Sequence, residues 1–254
     1  MTITTEHPLS APANLRDLGG IAIAGGLLRQ GLAIRTDDLS LVTGEVAEEL
    51  VANGLTAIID LRSIEEVQVT GRGPLGGQAV SYHHIPLMGK MSESLSGDSP
   101  TLTHESMGQM YLNLVERASS QLVTALNVIA YSPGTTAFHC TAGRDRTGVL
   151  AASLLLVLGA SDADIVADYS LTGPNMPGVG QRTRSVLGPL MRKLGFDLDK
   201  LSAEGNLHKE GMEVSMQFLL EQLRTKYTDP LTPLRIAGLS EDTIAQLRRR
   251  AAEA

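Results

Sequence analysis

One ten-residue stretch, His139-Cys-Thr-Ala-Gly-Arg-Asp-Arg-Thr-Gly148, gathers most of the side chains in this chain that could do chemistry together. It contains the only cysteine of the sequence, Cys140, and, after five intervening residues, Arg146. A loop of that length can curl so that successive backbone N–H groups converge, which makes a nest for an anion. The planar fork of an arginine can bind two oxygens of a phosphate at once. Thiolate, not thiol, is the reactive form of cysteine, and electropositive surroundings favour it. A helix N-terminus supplies at most about 2 kcal/mol of that preference, so the loop amides, Arg146 and the Thr147 hydroxyl are expected to add to it. A sulfur held beneath a bound phosphate can attack phosphorus in line, giving a thiophosphate that water cleaves. Thr141, Ala142, Gly143, Arg144, Asp145 and Arg146 would cradle the oxygens. No metal or other cofactor is needed, because the guanidinium and the amides take up the charge. The alternative, Cys140 as a small core hydrophobe, fits poorly with neighbours as polar as Arg144, Asp145 and Arg146.

Such a loop works only if rigid elements hold its two ends. Thr135–His139 reads as a strand and Thr147–Leu158 as a buried helix, so Cys140 falls at a strand's carboxyl end and Arg146 at a helix N-terminus. Open α/β folds place ligands there, and the helix dipole favours an anion. Gly143 and Gly148 allow the curl and close helix packing. Further strands are predicted around 20–23 and 31–34, at Leu55–Asp60 and at Ala79–Ile85. Thr43 can cap a helix with Val46, Ala47, Leu50 and Val51 on its apolar face and Gly54 at its end. Ser63-Ile-Glu-Glu66 fits a capping box opening a short helix. Residues 88–104 read as a polar mobile loop, followed by helices over 105–117 and 119–131. After Ser161 the pattern is helical: 162–170, 181–194, 210–226 and 241–250. Strands alternating with helices predict an α/β fold with a central, mostly parallel sheet flanked by helices, and with a C-terminal helical subdomain or cover.

Composition narrows the function classes. The 254 residues are 43% hydrophobic and 19% charged, which excludes a disordered chain or a coiled coil. Twenty-eight acidic against 21 basic residues give a net charge of −7, so nucleic acid is not an expected partner. A single cysteine excludes an intrachain disulfide and a zinc site built from several thiolates. The first residues lack a basic start and an apolar run, and Val149–Leu158 is about half the length of a bilayer span. The expectation is a soluble, cytoplasmic protein without stable membrane insertion, of open oligomeric state, with export without an ordinary leader left possible.

The sequence also resembles a known family. HCTAGRDRTG is similar to the signature loop of the cysteine-dependent protein tyrosine phosphatases, in the form carried by an atypical bacterial group of tyrosine and lipid phosphatases. Asn14-Leu-Arg-Asp-Leu-Gly-Gly20, Asp60-Leu-Arg-Ser63, Asp168-Tyr169, Leu171-Thr172 and the closing Tyr227…Leu234-Arg…Gly238-Leu-Ser…Leu247 agree, so the resemblance covers nearly the whole chain. It implies one phosphatase domain over 1–254, with a helical lid at roughly 171–230. It also implies Cys140 as nucleophile, Arg146 as phosphate ligand, His139 as a residue orienting the loop, and a place beside the pocket for Asn14, Arg16 and Asp17, whose alternative reading is the closing of a turn before Gly19-Gly20. The substrates it implies are phosphorylated proteins, phosphotyrosine foremost and phosphoserine or phosphothreonine besides, or phosphoinositides. Where the family usually has lysine this chain has Arg144, which keeps the charge but not the compact ammonium head.

Cleaving the ester needs a proton donor. Asp145 lies inside the loop, and Asp60 ends a strand parallel to the one that leads into it; both are candidates, with Asp37, Asp38 and Asp98 weaker. Each has a structural alternative: Asp145 as partner of a nearby arginine, Asp60 as a strand-end carboxylate bonded to Arg62 or a turn amide. Gly71-Arg-Gly-Pro-Leu-Gly76 follows an acidic helix and contains Pro74, so it is not a dinucleotide loop. His83 and His84 point to opposite faces of a strand and cannot share a metal. Arg182 and Arg184 read as a solvated helix face, with a lid contact to substrate as the alternative. The competing functions are a phosphoinositide phosphatase with the same chemistry, an inactive phosphate-binding module, which the intact Cys140–Arg146 pair disfavours, and arsenate reduction or sulfur transfer, the former usually recruiting further cysteines.

Overall fold

A computed structural model describes residues 8–88, 103–193 and 211–252. The polar loop expected at 88–104 lies almost wholly outside these, as do Asp98 and part of the expected lid.

Five strands form the main sheet: β1 (Arg16–Asp17), β4 (Ala33–Thr36), β5 (Leu55–Asp60), β6 (Ser81–His84) and β7 (Thr135–His139), in the order β1-β4-β7-β5-β6. β4, β7, β5 and β6 run parallel and β1 pairs antiparallel with β4 at the edge. A separate two-stranded ribbon joins β2 (Ala22–Ile23) to β3 (Gly26–Leu27). The central strands are apolar because both faces of the sheet are covered. Their alternation sorts the side chains: Ile59 and Phe138 enter the larger core, while Ile58 and Ala137 enter a smaller one with Leu39, Val42 and Leu75.

The smaller core is closed by α1 (Gly44–Ala52), capped by Thr43, whose hydroxyl accepts from Val46 N. On the other face lie α3 (His104–Arg117), α4 (Ser119–Tyr131), α5 (Asp145–Leu158) and α10 (Glu241–Ala252), with α6 (Asp162–Ser170) and α8 (Glu213–Lys226) packed beyond. α5 is buried from Thr147 to Leu155 on every side, as an almost uninterrupted apolar helix must be. α2 (Ile64–Thr70) follows β5 directly, and α7 (Met176–Lys193) lies beside it. A short α9 (Thr232–Ile236), with Pro233 in its first turn, precedes α10 and was not expected from the sequence. Among the described residues no helix is long and apolar enough to cross a membrane.

The strand register decides which side chains can meet at the edge of the sheet. Thr36, His139, Asp60 and His84 are paired across the sheet in one row, so four parallel strands end level. Asp37, Cys140 and Leu61 are each one residue past that edge, where the chain leaves the sheet and side chains can converge.

Candidate active site

The segment from Cys140 to Arg144 bridges β7 and α5, and its carbonyls are tied back to the scaffold. Thr141 O accepts from Asp38 N at 3.2 Å. Ala142 O and Gly143 O accept from Asn14 Nδ2 at 3.4 and 3.3 Å, and Gly143 O also accepts from Arg35 Nη2 at 3.0 Å. Arg144 O accepts from Gly148 N inside α5 at 2.8 Å. Among the described residues no protein acceptor meets the N–H groups of Thr141, Ala142, Gly143, Asp145 or Arg146. A loop whose carbonyls all face its supports presents its amides to the other side, which is the arrangement of an anion nest. Gly143 is obligatory here: its φ is +68°, and a Cβ would lie 2.6 Å from Thr36 O and 2.7 Å from Asp37 N.

The supports form a buried ionic frame. Arg35, fully buried on β4, donates to Asp168 of α6 as well as to the loop. Arg16 joins the same carboxylate at 2.8 Å and reaches Asn14 Oδ1 at 2.7 Å. Burial alone would raise the Asp168 carboxyl, but Arg35 and Arg16 hold it below the usual carboxylate range. Asp17 instead closes a turn, accepting from Gly19 N and Gly31 N at 2.7 Å each. Asp37 accepts from Asn14 N at 2.9 Å and pairs with Arg182 of α7. Arg182 is therefore buried, not on a solvated face: its other nitrogens reach Ser10 and the Asp38 carbonyl, so it pins α7 to the sheet's edge.

Cys140 begins the loop directly after β7, is 1% exposed and packs at the margin of the larger core, so the burial expected of a core residue and the polar loop meet at this position. The Arg146 guanidinium is gripped end-on by Glu66: Nη1 donates to Oε2 at 2.5 Å and Nη2 to Oε1 at 2.8 Å. Burial opposes the arginine's charge, but Glu66, then Cys140 and Asp145, more than restore it. Thr141 Oγ1 donates to the same carboxylate. Glu66 is also the capping-box residue of α2, accepting from Ser63 N at 2.7 Å. With Nη1 and Nη2 engaged by one oxygen each, the Nε edge of the fork is left for a second planar partner. The Thr147 hydroxyl, in the first turn of α5, is buried with no hydrogen-bond partner.

Burial raises the Glu66 carboxyl, but Arg146 and Thr141 pull it down to about 2. The folded value lies below the ordinary 4.5, so the stabilisation is complete above that pH and is lost as the pH falls toward about 2. Glu66→Gln keeps an oxygen for the capping box but gives up the charge and the second acceptor. It is expected to flatten the acid limb of stability and to weaken binding of inorganic phosphate about tenfold by calorimetry. If Glu66 only offset the charge of Arg146, the variant would bind phosphate more tightly.

The two carboxylates read as proton-donor candidates stand in different surroundings. Asp60 is fully buried. It accepts from Arg62 N at 3.0 Å, from Arg62 Nε at 2.9 Å, from Arg62 Nη2 at 2.6 Å and from the Tyr82 hydroxyl at 2.7 Å. It borders a small cavity of about 10 Å³ with Ser40, Arg62, Tyr82 and His139, barely room for one water. Burial would raise this carboxyl, but His139, Arg62 and Tyr82 hold it well below the ordinary range. Arg62 also binds Asp38 at 2.9 Å, so one guanidinium anchors both strand ends. His139 is buried between Asp60 (3.7 Å) and Asp38 (3.9 Å), with Nδ1 3.2 Å from Cys140 O; burial lowers its pKa against the pull of the two carboxylates.

Asp145 opens α5, and its side chain is 22% exposed. Oδ1 accepts from Arg144 Nε at 2.9 Å and from the Tyr111 hydroxyl at 2.5 Å, while Oδ2 has no hydrogen-bond partner among the described residues. Of the residues singled out in the sequence, the structure thus brings Asn14, Arg16, Asp145, Arg146 and Asp168 around the loop that Cys140 begins.

Sequence reasoning did not find Arg35, Glu66 as a partner of Arg146, or Tyr111. Arg35 had a readable signal, because an arginine ending the apolar run Leu32-Ala33-Ile34 must find a buried partner. Tyr111 had none beyond its place on an amphipathic helix.

Similarity to known proteins extends over the same elements. The sequence model of the tyrosine phosphatase family matches residues 7–253. A tyrosine-protein phosphatase of Nostoc commune is 28% identical over 224 residues, covering 87% of this chain and 74% of that protein. The triple specificity protein phosphatase PtpB of Mycobacterium tuberculosis is 28% identical over 206 residues, covering 68% of this chain and 71% of that protein. The family match leaves only the ends of the chain uncovered and takes in the loop, its supports and the sheet that carries them: the chain belongs to the tyrosine phosphatase family.

Proposed function

We propose that the chain hydrolyses protein phosphotyrosine, with phosphoserine and phosphothreonine as further substrates, through a phosphoryl group carried on Cys140. The observation that carries this reading is the loop whose carbonyls are all bonded outward while a carboxylate holds its arginine by one edge. The free amides and the Nε edge of Arg146 would take the phosphate oxygens. Sγ of Cys140 would attack phosphorus as the ester P–O bond breaks. Asp145 would give the proton from Oδ2 to the leaving oxygen, so that a phenol or alcohol departs. As a carboxylate it would then take a proton from the water that cleaves the S–P bond, releasing inorganic phosphate and restoring the thiolate. Arg146 and the amides bear the charge that grows on the equatorial oxygens. His139 and Asn14 act as supports of the loop in this scheme.

In it Asp60 is a structural carboxylate. Asp60→Asn leaves Arg62 short of a buried partner and is expected to cost roughly 3 kcal/mol of stability in urea unfolding. It is not expected to change how the rate depends on the leaving group. A rate loss confined to poor leaving groups would move the acid role to Asp60.

The test of the function is turnover of p-nitrophenyl phosphate in EDTA, beside phosphotyrosine, phosphoserine and phosphothreonine peptides and phosphoinositide vesicles. Turnover that survives EDTA, with the phosphotyrosine peptide the best of the biological substrates, is expected. Loss in EDTA would contradict the thiolate mechanism, and a preference for the lipid would replace the substrate assignment.

A further inference from the structure

The Tyr111 side chain is 0% exposed, yet it carries a hydroxyl into the main core. Phenylalanine would fill the same space without a polar atom to satisfy, so a buried hydroxyl calls for a partner. It has two. It donates to Asp145 Oδ1 at 2.5 Å, and the Tyr169 hydroxyl lies 2.7 Å behind it. The rings meet edge to face, with centroids 6.0 Å apart and planes at 71°. Tyr169 is itself wedged against α5, where a Cβ on Gly148 would lie 3.0 Å from its ring. Two tyrosines from α3 and α6 therefore end, in series, on one oxygen of the loop's carboxylate.

A carboxylic acid has one oxygen that only accepts and one that carries the proton. Tyr111 and Arg144 both donate to Oδ1, so that oxygen is held as the acceptor. The proton is left to Oδ2, the oxygen with no hydrogen-bond partner among the described residues. We propose that Tyr111, braced by Tyr169, is a positioning residue for proton transfer: it stops the Asp145 carboxyl from rotating and keeps the protonated oxygen turned toward the leaving group. The inference rests on Asp145 being the acid.

The same hydrogen bond has an electrostatic side. Arg144 on the loop, Tyr111 from α3 and Arg146 in the first turn of α5 face this carboxyl, with Tyr169 from α6 behind. Burial would raise its pKa, but Arg144, Tyr111 and Arg146 hold it low. Tyr111 donates to the ionised form and so favours it; deleting the hydroxyl must raise the Asp145 pKa.

The test compares kcat/KM for phenyl phosphate, a poor leaving group, with that for p-nitrophenyl phosphate, a good one, across pH, in wild type, Tyr111→Phe, Asp145→Asn and the double variant. Tyr111→Phe is expected to lower the phenyl phosphate plateau about tenfold, to spare p-nitrophenyl phosphate, and to move the alkaline limb to higher pH. Added to Asp145→Asn it is expected to cost nothing more. Equal losses on both substrates, an unmoved limb, or additivity in the double variant would overturn the proposal. Asp145→Asn turning over phenyl phosphate at the wild-type rate would instead overturn the acid assignment, and the proposal with it. If Tyr111→Phe does not fold, Tyr169→Phe carries the test through a smaller shift of the limb in the same direction, and an unmoved limb there overturns the proposal.

Discussion

Cys140→Ser is expected to abolish turnover while leaving phosphate binding in place. A serine hydroxyl is a weak nucleophile at neutral pH unless a base removes its proton, and no base is at hand. His139, the adjacent imidazole, is held between Asp38 and Asp60 with Nδ1 at the Cys140 carbonyl. Asp145 has one oxygen committed to Tyr111 and Arg144 and, in the proposed mechanism, would serve the leaving group with the other. The expected fall in kcat is on the order of 10⁴ or more, the scale on which loss of a nucleophile is felt elsewhere. The amides of the loop and the Arg146–Glu66 pair do not involve the sulfur's identity. Inorganic phosphate should therefore bind the serine variant within a few-fold of wild type in calorimetry. A serine variant that keeps a tenth of wild-type activity would remove the covalent mechanism; one that loses phosphate binding as well would show that the cysteine shapes the loop.

Arg146→Lys keeps the charge and discards the fork. An ammonium cannot meet both Glu66 oxygens and two phosphate oxygens in fixed directions, so the variant separates geometry from net charge. Removal of an oriented donor to a developing oxyanion commonly costs 10²–10³ in kcat, and a loss of about that size is expected here. Stability is expected to fall by roughly 1–3 kcal/mol, because hydrogen bonds to the buried Glu66 are lost while a charge remains near it. Replacing Glu66 and Arg146 together should cost less than the sum of the two single changes, since the second removes a group the first has already stranded. A lysine variant with wild-type kcat would mean that charge alone holds the phosphate.

How much of this is legible in the sequence depends on the range over which each signal acts. Local signals are legible. The apolar runs Leu55–Asp60 and Thr135–His139 are strands with those ends, and Ser63 with Glu66 makes the expected capping box. The helix over 162–170 starts at Ser161 as a cap, and the loop from Cys140 joins β7 to α5 as its flanks required. What escapes is long in sequence. Glu66 meets Arg146 across 80 positions, and nothing in a capping box reveals that its carboxylate has a second side to offer. Arg35 reaches Gly143 across 108 positions, and Tyr111 reaches Asp145 across 34. On an amphipathic helix a tyrosine and a phenylalanine look alike until the hydroxyl's partner is seen. The solvated face expected for Arg182 fails for a related reason. Its helix is polar enough to look solvated, but its first half lies against the sheet edge, where Asp37 needs a cation. Asp60 and Asp145 cannot be separated from sequence because both stand toward the carboxyl end of a parallel strand, Asp60 as the last residue of β5 and Asp145 in the segment after β7; burial and the number of donors around each carboxylate tell them apart.

A phosphoryl group resting on one sulfur is the centre of this mechanism. The most direct measurement is rapid acid quench of the enzyme with p-nitrophenyl phosphate, followed by peptide mapping by mass spectrometry, with the p-nitrophenol burst recorded in parallel. A burst close to one equivalent per chain, together with a single phosphoryl adduct on the peptide containing Cys140, is the predicted result. A burst with the adduct on any other residue, or steady turnover with no adduct and no burst in a variant slowed at the water step, would contradict it.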